Sequence, residues 1–205
     1  MLVLHAHPFS SYVQKVTIAL YEVDRPFEWR KIEGAEDFDA LKRLWPIGLM
    51  PVLVDGGTTV IESSIIIEHV APRLVPSLEV RFLDRFFDNY VMTPMQKIVG
   101  DVLRPEAERD PRGVADAKAR LDVSYGWLDD RLKDRQWATG DDFTMADCAA
   151  APSLFFADWV HPIDARFATT RAYRARLLKR PSVARAVDEA RPYRNFFPPG
   201  APDRD

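Results

Sequence analysis

Ser10 and Ser11 follow a short apolar run and precede Val13, Val16 and Leu20, which recur at helical spacing. A side chain at such a strand-to-helix junction faces the positive end of the helix and its unpaired N–H donors. That environment favours an anion, and a serine hydroxyl can donate a hydrogen bond to it. A thiolate is the simplest useful anion there, because a free thiol, with a pKa of about 8.5, is largely protonated at neutral pH. The same position also suits a plain helix cap, in which Ser10 serves the backbone and no ligand.

Two further stretches carry polar chemistry. Met50-Pro51 stands at the entry to an extended run, where a cis bond would turn the Met50 backbone outward to pair with an extended ligand. A proline there is also an ordinary edge-strand residue. Glu62-Ser63-Ser64 opens a predicted helix, so its hydroxyls and free N–H groups suit a carboxylate, while Glu62 suits an ammonium group. A helix cap with an acid in the first turn explains the same residues without a ligand.

The elements that must hold these residues can be read in order. Leu2-Val3-Leu4 reads as a buried strand and the stretch from Ser10 as a helix. Phe27 to Ile32 reads as a second strand, and Glu33 to Arg43 as an irregular or weakly helical surface segment. Val52-Leu53-Val54 and Thr58-Thr59-Val60-Ile61, joined across Asp55-Gly56-Gly57, give a hairpin signal, and a helix from Ile65 to Val70 follows. This order predicts a parallel βαβ unit extended by an antiparallel hairpin.

From about Leu78 the strand signals vanish. Leu83, Phe87, Tyr90, Val91, Met95 and Ile98 mark one face of a long helix. Val114, Ala117, Leu121, Tyr125, Leu128 and Leu132 mark another. Thr144 and Asp147 have capping-box spacing ahead of the apolar run Cys148 to Val160, which Pro152 should bend or interrupt. Two shorter helices, Arg166 to Leu178 and Ser182 to Glu189, precede an irregular proline-rich tail from Pro192. The boundary between the two parts is expected near residues 73 to 80, giving an α/β domain over 1–75 and an all-helical domain over 80–205.

Composition narrows the class. Hydrophobic residues at 47% and charged residues at 29% describe a folded chain, and a net charge of -3 offers nucleic acid no broad attraction. The basic residues Arg171, Arg174, Arg176, Lys179 and Arg180 read as a solvated helix face. A single cysteine, Cys148, excludes an intrachain disulfide and a cysteine-built zinc site, and the four histidines lack metal-ligand spacing. No signal peptide or membrane-spanning run is expected, so the cytosol is the default location.

In this order and spacing, four segments together resemble the cytosolic glutathione transferase family, in a serine-type, bacterial-like form. They are Ser10 to Leu20, Leu49 to Leu53, Ile61 to Ser64 and Gly140 to Asp147. The resemblance implies a thioredoxin-like N-terminal domain, an all-α helical-bundle C-terminal domain, glutathione as co-substrate without a metal, and a homodimer. In serine-type members a serine lies five residues before the basic residue of the first helix. Ser10 meets that spacing from Lys15 and Ser11 misses it by one, which makes Ser10 the implied donor to the glutathione sulfur and Ser11 the second candidate. No cysteine occupies this place, unlike the omega-like members that form mixed disulfides.

The same resemblance implies a cis Pro51, pairing of the Met50 backbone with the cysteinyl part of glutathione, and Glu62 with Ser63 at its γ-glutamyl end. Lys42 is the nearest candidate for the glycyl carboxylate, and Thr144 with Asp147 are structural. A small hydrophobic electrophile is expected between the domains, near Phe9, Tyr12, Tyr90 and Met95. The implied reaction is conjugation of the thiolate to that electrophile. Glutathione-dependent isomerisation or dehalogenation at the same site is one alternative, and a non-enzymatic binding or interaction protein of the same fold is another.

Overall fold

Leu2, Leu4 and Ala6 alternate with less buried residues, as in a strand with one face in a core. In the computed structural model, which describes all 205 residues, Leu2–Ala6 forms β1 and those three side chains are buried. Helix α1, Ser11–Glu22, leads to β2, Phe27–Lys31, parallel to β1 with Leu2 opposite Phe27. Strands β3, Val52–Asp55, and β4, Thr58–Ile61, form an antiparallel hairpin, and β3 pairs antiparallel with β1. Gly56 and Gly57 take φ of 55° and 94° in the hairpin turn, left-handed values that glycine adopts without a Cβ clash. The sheet order is β2-β1-β3-β4, and α3, Ser63–Val70, follows the hairpin.

One segment of this half differs from expectation. Glu33 to Arg43 contains a regular helix, α2, Ala35–Leu44. Asp37 closes its start by accepting from the backbone N–H groups of Glu33 and Gly34 at 3.0 and 2.9 Å. Only Leu41 of α2 is buried, so the periodic apolar signal that marks a helix in sequence is nearly absent.

Everything after Val75 is helix or connection. Helices α4, Leu78–Phe86, and α5, Thr93–Val102, are joined without a break by a π-helical segment, Phe87–Met92. Helices α6, Pro111–Arg131, α7, Met145–Val160, α8, Ala168–Leu178, and α9, Pro181–Ala190, complete the bundle. Helix α7 runs uninterrupted through Pro152. The expected irregular tail instead begins with a 3₁₀ turn, Arg191–Phe196, that returns to the α/β half, where the Lys31 ammonium donates to the Tyr193 hydroxyl at 3.1 Å. No helix is long and apolar enough to cross a membrane.

The core runs through both halves, and α1 is its axis. Every residue from Val13 to Leu20 is buried, because α1 packs against α3 within its own half and against α7 and α9 of the bundle. Asp147, wholly buried at the start of α7, organises the bundle. It accepts from the N–H of Thr144 at 2.9 Å, the N–H of Ala138 at 2.8 Å and the Tyr173 hydroxyl at 2.6 Å. Asp147→Ala leaves those buried donors unpaired and is expected to cost at least about 2 kcal/mol. Urea unfolding monitored by tryptophan fluorescence measures it, and a change below about 0.5 kcal/mol would contradict the role.

Candidate functional site

Two helix starts open onto one groove of about 620 Å³ between the α/β half and α4–α5. At the first, the backbone carbonyl of Ser10 accepts the first α-helical bond of α1 from Gln14 N–H at 2.9 Å. The amides of Ser11, Tyr12 and Val13 lie ahead of the first intrahelical acceptor. Ser10 occupies the N-cap position, yet its side chain makes no cap hydrogen bond. Its hydroxyl is therefore free to serve a ligand.

At the second helix start, Glu62 holds φ 68° and ψ 121°, a left-handed backbone that a non-glycine residue adopts at some cost. That conformation turns the chain from β4 into α3 and leaves the exposed Glu62 carboxylate and the buried Ser63 on the groove wall. Between the two starts lies Met50-Pro51, whose peptide bond is cis. The groove thus brings Ser10, Met50, Pro51, Glu62 and Ser63 together. Ser11 lies one step away, on the wall of a neighbouring cavity.

Lys42 is not brought there. It lies in the last turn of α2 outside the groove lining, with its aliphatic stem packed behind Gly48, whose added Cβ would meet Lys42 Cγ at 3.2 Å. Phe38 and Trp45, at the same end of the groove, form the wall instead. Arg85, Asp88, Asn89 and Gln96, from the helical half, complete it.

A buried ionic cluster stands behind this wall. Lys15, 1% exposed, has two carboxylates and a hydroxyl around its ammonium. It lies 2.6 Å from Asp84 Oδ1 and donates to Asp88 Oδ2 at 2.8 Å and to Ser64 Oγ at 2.9 Å. Ser64 donates in turn to Asp84 Oδ2 at 2.7 Å, and Arg85 reaches both carboxylates from the solvent side. Burial pushes the Asp88 carboxyl above its ordinary range against the attraction of Lys15, and Asp84 adds repulsion. Asp88 Oδ1 has no partner, although the side chain is only 8% exposed and borders the groove. The spacing of Asp84 and Asp88, carboxylates four apart on the face of Leu83 and Phe87, was the sequence signal for this cluster.

Two apolar cavities flank Ser10. One, about 410 Å³, lies beside Phe9, Tyr12, Met95, Phe156 and Phe197. The other, about 620 Å³, lies on the side of β2 and is walled by Ile32, Phe38, Tyr193 and Phe196. Phe9, Tyr12 and Met95 stand where the sequence suggested, but Tyr90 is 46% exposed and borders neither cavity. The wider π-helical turn shifts the register after Phe87, carrying Tyr90 off the inner face while Val91 stays buried. The tail residues of both cavities carry no sequence signal of their own. Burial, followed by the nearby Asp88 charge, pushes the Tyr12 phenol up to about 12, so it remains a donor at physiological pH. No cluster of three or more His, Cys, Asp or Glu side chains is placed to hold a metal ion.

This architecture has counterparts among known proteins. A family model for the glutathione S-transferase N-terminal domain matches residues 4–74, and one for the C-terminal domain of the same family matches 109–176. The chain belongs to the glutathione S-transferase family. A probable maleylacetoacetate isomerase of Vibrio cholerae is 26% identical over 216 residues, covering 93% of this chain and 97% of that protein. Glutathione S-transferase GstB of Escherichia coli K12 is 28% identical over 175 residues, covering 76% and 82%. The crystal structure of a glutathione S-transferase of Methylobacterium radiotolerans in complex with glutathione sulfonate matches with a TM-score of 0.78 at 28% identity, covering 91% of this chain and 94% of that one. The Lys15 cluster ties the first matched domain to α4 and the π-helical segment, which lie between the two matched stretches.

Removing the ammonium leaves Asp84 and Asp88 facing each other in a buried site. Lys15→Met is expected to cost about 3 kcal/mol. Arg85→Met, which removes a half-exposed partner, should cost less. Paired urea titrations compare the two, and an Arg85→Met loss equal to or above that of Lys15→Met would overturn the ranking.

Proposed function

We propose that this glutathione S-transferase binds glutathione along the groove and conjugates its thiolate to small, uncharged, apolar electrophiles. The observation that carries this reading is the free Ser10 hydroxyl at the start of α1, between the polar groove and two apolar cavities. Glutathione needs a site for an ammonium, two carboxylates, a cysteinyl amide and a sulfur, and the groove supplies complementary groups in sequence. The exposed Glu62 carboxylate suits the γ-glutamyl ammonium, and Ser63 with the α3 N–H groups suits its carboxylate. The Met50 backbone suits the cysteinyl amide. The glycyl end then lies toward α2, where the Trp45 indole N–H is a donor without a protein partner and replaces Lys42 in this reading.

The sulfur falls at the α1 terminus. There the helix dipole, the first-turn amides and the Ser10 O–H stabilise the thiolate and lower the thiol pKa. Glutathione sulfonate, the ligand of the Methylobacterium radiotolerans enzyme, likewise carries an anionic sulfur group. The thiolate attacks the electrophilic carbon, a C–S bond forms and a leaving group departs with the bonding pair. No enzyme-bound covalent intermediate is needed.

The Vibrio cholerae relative raises glutathione-dependent isomerisation as a second reading. The residues lining the two apolar cavities include no Lys or Arg, and one carries Glu33. That lining favours neutral electrophiles over the dianionic substrate of such an isomerase. An interaction protein of the same fold would have no use for a free Ser10 hydroxyl on the groove wall.

Phe82 and Tyr90 are about half exposed, and Trp127 is 37% exposed, on an apolar α4–α6 face beside the groove. A second copy of the chain is the partner this face suits. Phe82→Asp should then shift sedimentation from dimer to monomer, whereas a wild-type monomer at micromolar concentration would remove that partner.

Ser10→Ala is expected to lower conjugation of 1-chloro-2,4-dinitrobenzene by about 10²-fold with the fold intact. Glu62→Gln should weaken glutathione binding by about tenfold in calorimetry. Unchanged turnover in Ser10→Ala, with a loss in Ser11→Ala, would transfer the thiolate to Ser11. Failure of the wild type to bind millimolar glutathione would favour the interaction-protein reading.

A further inference from the structure

The cavity on the β2 side of Ser10 carries a second donor that the thiolate site does not use. His7 opens the turn after β1, and its Nδ1 accepts a hydrogen bond from the Phe9 backbone N–H at 3.2 Å. An N–H donor at Nδ1 requires the lone pair there, so the neutral ring carries its proton on Nε2. The ring is held edge-on by Tyr193 at 4.5 Å between centroids, with Phe196 at 6.0 Å. Nε2 makes no hydrogen bond within the protein, and His7, Ser10, Tyr193 and Phe196 all border the same cavity of about 620 Å³.

The other polar groups at this wall are already engaged. The Tyr193 hydroxyl accepts from Lys31 Nζ at 3.1 Å and donates to Glu33 Oε1 at 3.5 Å. Glu33 is an acceptor and repels anionic substrates. The free donors facing the cavity are therefore the Ser10 O–H, which faces the sulfur in the reading above, and the His7 Nε2–H. Burial lowers the His7 pKa, with Glu33 raising it and Lys31 lowering it further, so the ring is neutral at neutral pH. A neutral donor does not neutralise the nearby thiolate, as an imidazolium would.

We propose that His7 is a catalytic residue on the electrophile side, donating from Nε2–H to the carbonyl oxygen of an α,β-unsaturated aldehyde or ketone. This substrate class rests on the reading that Ser10 holds the glutathione thiolate. The cavity combines apolar walls for a hydrocarbon body, one fixed donor for an oxygen, and a carboxylate that excludes acids. When the thiolate attacks the β-carbon, the C–S bond forms and the π electrons of the alkene shift toward the carbonyl. The carbonyl π pair moves onto oxygen, giving an enolate whose charge meets the His7 N–H. The enolate then collapses back to the carbonyl as its α-carbon takes a proton from water. That proton replaces the one the thiol lost to solvent, and His7 keeps its own. A halide displaced from a saturated carbon develops no oxyanion and gains little from this donor.

The test compares kcat/KM of the full-length protein toward 2-hexenal and toward benzyl chloride, with glutathione affinity from calorimetry. His7→Phe, which preserves the ring packing, should lower the ratio of enal to halide activity by about 10²-fold. His7→Gln, which restores a neutral N–H donor, should recover most of that ratio. Should His7→Phe lose its cooperative melt, His7→Leu supplies the same comparison. An unchanged ratio overturns the proposal, as does a wild-type protein that conjugates the halide but not the enal. Those outcomes leave the thiolate site standing. A wild-type protein that binds no glutathione and turns over neither compound overturns both.

Discussion

The buried Lys15 ammonium is the constraint on which the arrangement of this protein turns. Helix α1 is enclosed on nearly all sides, so a charge in its middle cannot reach water. Desolvating an ammonium costs several kcal/mol, and only close, well-aligned anions offset it. Asp84 and Asp88 supply them from α4 and the π-helical segment, and Ser64 supplies the third acceptor from α3. One side chain thereby sets the spacing of three elements from both halves of the chain. Such a cluster specifies an arrangement more than it stabilises it, since apolar packing would cost less.

That arrangement is what makes a groove. With α3 and the π-helical segment tied to α1, the two open helix starts lie on the same surface, and their unpaired N–H groups face one ligand space. Arg85 closes the cluster from the solvent side while also bordering the groove, so the ionic core and the ligand wall share a boundary. The π-helical turn adds a further consequence. It holds Asp88 where one oxygen pairs with Lys15 and the other is left unpaired, and it turns Tyr90 outward to the apolar face.

Around Ser10 the surroundings divide by chemistry. On one side are carboxylates, amides and a cis Met50-Pro51 bond, and on the other are aromatic and aliphatic walls. In the proposed reading, a charged tripeptide and an apolar electrophile meet at this hydroxyl from different sides. The C-terminal turn contributes Tyr193 and Phe196 to the apolar side, although it is far from β1 and α1 in sequence.

The sequence by itself determined the local elements and the groups that begin them. A short apolar run marked β1, Asp-Gly-Gly marked the hairpin, and Thr144 with Asp147 marked the start of α7. The placement of Ser10, Met50-Pro51 and Glu62-Ser63 at element starts was legible because caps and strand entries are short-range features. The spacing of Ser10 from Lys15 was also visible, but the reason for a lysine there was not. Helix α2 read only as irregular or weakly helical because a helix with one buried residue has almost no apolar period, and nothing local to Lys42 says which way α2 faces. Only the tertiary structure decided that Lys15 meets Asp84 and Asp88, that Trp45 rather than Lys42 borders the groove, and that the tail folds back beside His7. Those outcomes depend on contacts between residues distant in the chain, where the need to pair a buried charge or cover an apolar surface selects partners that local spacing cannot name.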